Sequence, residues 1–249
     1  PDRTNKMTGG DIQFRPKAVD IGDWPSLYEA EIVVPHFWLE ERMTQPRLNP
    51  ATGWIESARR SAFALTEAFG PELARYYLDN LFEALTEPGE WYLDRARGRL
   101  WYLPLPHEEM GTTEVIAPRL HSLLEIRGSG YNETKQHGDP CMDEPAGRGM
   151  VFEGLVFRHA DWVQPNPSFS PHDRVPPPER PLAACGQSAC DAPAAIRLGI
   201  ARDTLFRDCL VEHVGGYGLS IGHGCRRIEV VGCTFRDLGA GGIRVDGAE

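Results

Sequence analysis

Phe206-Arg207-Asp208-Cys209-Leu210-Val211-Glu212-His213-Val214-Gly215 and Val230-Val231-Gly232-Cys233-Thr234-Phe235-Arg236-Asp237-Leu238-Gly239 carry one pattern twice, with Cys233 following Cys209 by 24 residues. A third copy stands upstream, Met150-Val151-Phe152-Glu153-Gly154-Leu155-Val156-Phe157-Arg158-His159, where Leu155 precedes Cys209 by 54 residues, one period plus about another period of inserted loop. The strand that opens each following turn repeats as well: Ile196-Arg197-Leu198-Gly199, Leu219-Ser220-Ile221-Gly222 and Ile243-Arg244-Val245-Asp246. Apolar residues alternate over short runs broken by Gly or Asp, and the helical period is absent. These features predict an all-β fold, a right-handed parallel β-helix: a solenoid with turns of about 24 residues whose equivalent side chains stack at roughly 4.8 Å.

Stacking turns a repeat into columns. The expected inward columns are Phe152/Phe206/Val230, Leu155/Cys209/Cys233 and Phe157/Val211/Phe235, and Arg158/Glu212/Arg236 forms an outer column of alternating sign. Cys209 and Cys233 then read as buried core thiols.

Ahead of the repeat the composition changes. Residues 1–110 are rich in Trp, Pro and acidic side chains and read as a mostly β cap or inserted module, with a short helix expected around Glu72–Leu78. Pro88–Pro104 is a hairpin by its two aromatic, alternating runs around a Gly-containing turn. Residues 111–249 read as the solenoid, whose first strand runs from Leu120 to Ile126, and a long Pro-rich loop spans 161–194. Insertions of that kind project from one face of a solenoid and wall a groove. Cys185 and Cys190 enclose a loop small enough for a local disulfide, and His172 lies near them; a single CxxxxC pair is a weak metal signal, so no metal and no cofactor are expected.

Composition narrows the partners. The chain of 249 residues carries 26 Lys plus Arg against 36 Asp plus Glu, a formal charge of −10. This balance argues against nonspecific nucleic-acid binding, which needs basic surface. No run approaches the roughly 18 to 20 apolar residues that cross a bilayer as a helix. The opening at Pro1 and the closing run Ile243–Glu249, a strand just begun, read as those of a fragment truncated at its C-terminal end.

The run Glu87-Pro88-Gly89-Glu90-Trp91-Tyr92-Leu93-Asp94-Arg95 through Gly98-Arg99-Leu100-Trp101-Tyr102-Leu103-Pro104 precedes three further motifs. These are Phe157-Arg158-His159-Ala160-Asp161-Trp162, Gly215-Gly216-Tyr217-Gly218 and Asp237-Leu238-Gly239-Ala240-Gly241-Gly242-Ile243. Together they resemble bacterial β-helix glycosidases of the glycoside hydrolase family 141 type. The resemblance implies an α-L-fucosidase or xylanase acting on plant cell-wall polysaccharide, a parent chain longer than this one, and a secreted or periplasmic location. It implies an oligo- or polysaccharide partner, and neither nucleic acid nor membrane.

Glycoside hydrolysis needs two carboxylates, about 5 to 5.5 Å apart for retention or roughly 6.5 to 9.5 Å for inversion. A β-helix meets either spacing, because neighbouring turns differ by about 4.8 Å and next-neighbours by twice that. The relevant column is His159, His213 and Asp237, directly before the glycine corners, and the run Gly239–Gly242 would let a sugar approach the backbone. Asp237 is the candidate catalytic carboxylate, with His213 one rung away and Asp246 the better placed second carboxylate; Asp161 or a residue beyond Glu249 are alternatives. His159, Trp162, Tyr217, His223 and Arg244 are candidate substrate contacts, the aromatics by offering flat apolar surface. Asp and His before a glycine corner also satisfy turn amides, so a structural role for each stays open. Two other readings are a noncatalytic carbohydrate-binding solenoid and a Ca²⁺-dependent polysaccharide lyase, which would need an acidic cluster and a basic proton acceptor.

Overall fold

The computed structural model describes residues 10–17, 20–36, 38–66, 73–129, 148–164, 181–184, 189 and 192–245. They are almost wholly strand and loop, and their helical content is two short 3₁₀ turns, Leu27–Glu29 and Phe82–Ala84. Among them no helix is long and apolar enough to cross a membrane. The chain divides into two compact units, 1–114 with 165–191 and 115–164 with 192–249.

The first unit is antiparallel. Its strands are β1 (Gln13–Phe14), β2 (Glu31–Pro35), β3 (Glu40–Thr44), β4 (Arg47–Asn49), β5 (Trp54–Glu56), β6 (Tyr77–Asp79), β7 (Trp91–Asp94) and β8 (Arg99–Tyr102). They form the sheets β3-β2-β6 and β1-β5-β4 and the hairpin β7-β8. Ile32, Val34, Met43 and Ile55 close the core. The fully buried Glu41 accepts the backbone N–H groups of Ala62 and Phe63, and its Oε1 lies 2.8 Å from His36 Nε2. A buried carboxylate is tolerated only with such partners.

The hairpin falls where its alternating aromatics placed it. Asp94 Oδ1 accepts from Arg97 N at 2.9 Å across the turn, and Gly98 takes the left-handed conformation at φ 62°. The helix expected around Glu72–Leu78 is not formed by its described residues. From Leu73 to Asp79 exposure alternates residue by residue, and Tyr77–Asp79 pairs with Glu31–Val33 as β6. The good helix formers yield here to a period-2 pattern that sends Tyr76 and Leu78 into the core. Within the expected loop 161–194, residues 181–184 belong to this first unit: Arg60 N donates to Pro181 O and Ala183 N to Arg60 O. Cys185, Cys190 and His172 lie outside the described residues.

The second unit is parallel. Its strands are β9 (Leu124–Arg127), β10 (Val151–Glu153), β11 (Val156–Ala160), β12 (Ala194–Gly199), β13 (Arg202–Arg207), β14 (Leu210–Val214), β15 (Tyr217–Ile221), β16 (Arg226–Val231), β17 (Thr234–Leu238) and β18 (Ile243–Val245). Three parallel sheets result, β9-β12-β15-β18, β10-β13-β16 and β11-β14-β17, and the chain visits them in rotation. Phe206 pairs with Val230, Val211 with Phe235 and Leu219 with Ile243, each pair separated by the sequence period. Each passage through the three sheets is one rung.

The columns fill the interior. Phe152 and Phe206 stack with centroids 4.9 Å apart, and Val211, Ile196, Leu198 and Leu219 join them in one buried cluster. Each such side chain contributes about 1.5 to 3 kcal/mol by leaving water. Cys209 is buried and Cys233 half-buried, both as free thiols. Leu155, expected inward, is exposed, because it sits at the outermost described rung with no further strand against β11.

Candidate active site

The residues before the corner between β14 and β15 share an uncommon backbone. His159, His213 and Asp237 have φ of 62°, 52° and 51°, the left-handed region that His and Asp enter more readily than most side chains. The same conformation recurs in the columns Gly149/Asp203/Arg227 and Gly154/Asp208/Gly232, so it belongs to the corners of the fold. The His159 column differs in carrying a polar side chain on every rung and no glycine.

Those side chains touch. The His159 and His213 rings stack with centroids 5.4 Å apart and planes 6° from parallel. His213 Nδ1 makes a hydrogen-bond contact with Asp237 Oδ2. On its other side His213 Nε2 stands 3.9 Å from Glu212 Oε2, so one imidazole lies between two carboxylates. The site faces solvent: the Asp237 and His213 side chains are 71% and 49% exposed, whereas that of Glu212 is 6% exposed.

Glu212 occupies the expected column with Arg158 and Arg236, but its carboxylate is covered and not on an open outer face. The two arginines fold across it from adjacent rungs, Arg236 Nε at 2.8 Å from Oε2 and Arg158 Nε at 3.8 Å from Oε1. The hydrogen bond from Arg236 holds the Glu212 carboxyl below its ordinary range and outweighs the opposing effect of lost water. The sequence places this residue only in an outer column of alternating sign; its place directly before His213 was the signal that it shares the site.

The remaining candidates divide. Trp162 packs over Gly215, where an added Cβ would lie 2.5 Å from Trp162 Cβ, and Asp161 Oδ1 accepts from Trp162 N at 2.8 Å. Tyr217 lies under Arg244, whose Cζ is 5.0 Å from the ring centroid, and Arg244 also donates to Ala192 O and Ser220 Oγ. His223 lies two residues past Ile221, which is itself about 13 Å along β15 from Tyr217, so it is remote from the His213 corner. Asp246 lies outside the described residues. At the glycine corner the protein itself requires the missing side chains of Gly239 and Gly241. Positions where a Cβ of Gly239 or Gly241 would stand lie 2.2 Å from Gly215 O and 2.9 Å from the Tyr217 ring. Among the described residues no group of three or more His, Cys, Asp and Glu side chains is arranged to hold a metal ion.

No protein-family model matches the sequence, and no curated protein matches it. The chain is similar to a solved structure of a glycoside hydrolase, with a TM-score of 0.60 and 20% identity, over 88% of this chain and 39% of that one. The likeness is one of fold, and this chain spans well under half the length of that protein.

Proposed function

We propose that this chain is part of a glycoside hydrolase that cleaves plant cell-wall polysaccharide, an α-L-fucoside or xylan, at the His213 corner of a right-handed parallel β-helix. Residues 1–110 are then its cap or inserted module, and the parent protein is secreted or periplasmic. The three parallel sheets visited in rotation support the β-helix. Its hand follows from the preference of parallel crossovers, right-handed in about 98% of cases.

The observation that carries the catalytic reading is the imidazole shared by two carboxylates. One ring between them keeps the two carboxylates within about 9 Å of each other, a ceiling that admits both separations used by glycosidase pairs. The exposed Asp237 is the carboxyl that meets the glycosidic oxygen, and Glu212, kept ionised by Arg236, is the second carboxylate. His213 orients Asp237, and Arg236 holds Glu212. Trp162, with His159, Tyr217 and Arg244 as further candidate contacts, supplies surface for the sugar at the corner, and His223, at the far end of β15, would meet only a more distant unit of the chain. Asp246 is the alternative second carboxylate.

Reducing-sugar release from xylan, fucosylated pectin and an aryl α-L-fucoside tests this for the wild type, Asp237→Asn, Glu212→Gln and Asp246→Asn. Asp237→Asn and Glu212→Gln are each expected to lower turnover by about 10²- to 10⁴-fold, with unchanged melting for Asp237→Asn. Loss in Asp246→Asn but not Glu212→Gln would move the second role to Asp246. Full activity in Asp237→Asn would overturn the assignment, and a folded wild type that binds sugar without turnover would make the unit a binding solenoid.

A further inference from the structure

The sheet β1-β5-β4 has one face in the core and one in water. Phe14, Leu48 and Ile55 point inward, so strand alternation turns Gln13, Arg47, Asn49, Trp54 and Glu56 outward. Register sets them in two rows. Gln13, Glu56 and Arg47 stand abreast across the three strands, and Asn49 stands beside Trp54. With Thr52 from the connecting turn they line an open cavity of about 430 Å³, within the range of small-molecule sites.

The chemistry of this lining is specific. Trp54 is 43% exposed, a large apolar surface left in water amid polar neighbours. A flat indole of that kind matches the apolar face of a pyranose ring. Around it, amides, a hydroxyl, a carboxylate and a guanidinium supply both donors and acceptors for ring hydroxyls. The opposite charges of Glu56 and Arg47 face each other across one row, so the surface does not select for an anion. Two of the groups are held in place before any ligand arrives. Asn49 Oδ1 accepts from Ala51 N at 3.0 Å and Thr52 N at 3.3 Å, and the Arg47 guanidinium lies 4.7 Å from the centroid of the Tyr28 ring. Such preorganisation lowers the entropy cost of binding.

We propose that this outer face of β1-β5-β4 is a second carbohydrate site, which binds a neutral polysaccharide chain with one sugar ring on Trp54 and takes no part in bond cleavage. It contains no residue of the His213 column, so it stands or falls separately from the catalytic reading.

Affinity electrophoresis in gels containing xylan, xyloglucan, galactomannan or polygalacturonate tests it, with wild type, Asp237→Asn, Trp54→Ala and Gln13→Ala. Wild type and Asp237→Asn are expected to be retarded equally by at least one neutral polysaccharide. Trp54→Ala should weaken that retardation roughly tenfold or more, and Gln13→Ala should weaken it less; both substitutions are at exposed positions and leave melting unchanged. Free migration of the wild type in every neutral gel would overturn the proposal. So would retardation by polygalacturonate alone, or full retardation of Trp54→Ala.

Discussion

Arg236 reaches Glu212 Oε2 through both Nε and Nη2, at 2.8 and 2.6 Å, from one rung away. Because in-register stacking fixes that separation, the pair needs little further ordering of the backbone, and Arg158 completes a cation–anion–cation column. The carboxylate is held below its ordinary range chiefly by the Arg236 hydrogen bond.

The sign of the resulting pH dependence follows from linkage. A carboxyl depressed in the folded state adds stability that is fully present above its unfolded value, about 4.3, and is lost as pH falls through the lower folded value. Urea unfolding of the wild type should therefore show no contribution from this group to any slope between pH 7 and 5, and a falling midpoint below about pH 4. Asp203 beside Arg227 and Asp94 beside Arg97 are depressed in the same direction, so part of the fall is theirs. Glu212→Gln should flatten the acid limb relative to wild type; an identical limb would mean that the column contributes nothing to folding.

Phe206 tests the interior column. It is 2% exposed and stacked on Phe152, so Phe206→Ala removes a ring that has little space to be replaced by collapse. The expected cost is about 3 to 5 kcal/mol in urea unfolding. Val231→Ala, at an exposed position in the adjoining strand, should stay within about 0.5 kcal/mol and serves as the control. Similar losses for both would place Phe206 outside the cooperative core.

The pairing registers of Phe206 with Val230 and Val211 with Phe235 were readable from the chain, because parallel stacking forces a repeat to align with itself. Burial across rungs was not. Glu212 alternates outward like a surface residue in the sequence, yet it is buried with the long side chains of Arg158 and Arg236 reaching it from the adjacent rungs. The helix expected around Glu72–Leu78 was misread for a related reason: its helix formers are local, whereas the pairing of Tyr77–Asp79 with Glu31–Val33 is distant in sequence. At the corner, Gly239 was read as access for a sugar, but a column repeat also places the preceding rung's backbone there.

That last relationship makes Gly239→Ala informative. A methyl group there would stand 2.2 Å from Gly215 O and 2.7 Å from Gly215 C, and backbone cannot move aside as a flexible side chain can. The corner must shift, at an expected cost of about 1 to 3 kcal/mol. Because Asp237 lies two residues earlier, the shift should also misplace its carboxylate relative to His213, and misplacement on the scale of 1 Å can cost about 10²-fold in rate. Gly111→Ala, where nothing lies within 4 Å, should leave both stability and turnover unchanged. Thermal unfolding alongside reducing-sugar release separates the effects. Lost stability with full turnover would mean that the corner is structural and that the reacting carboxylate lies elsewhere.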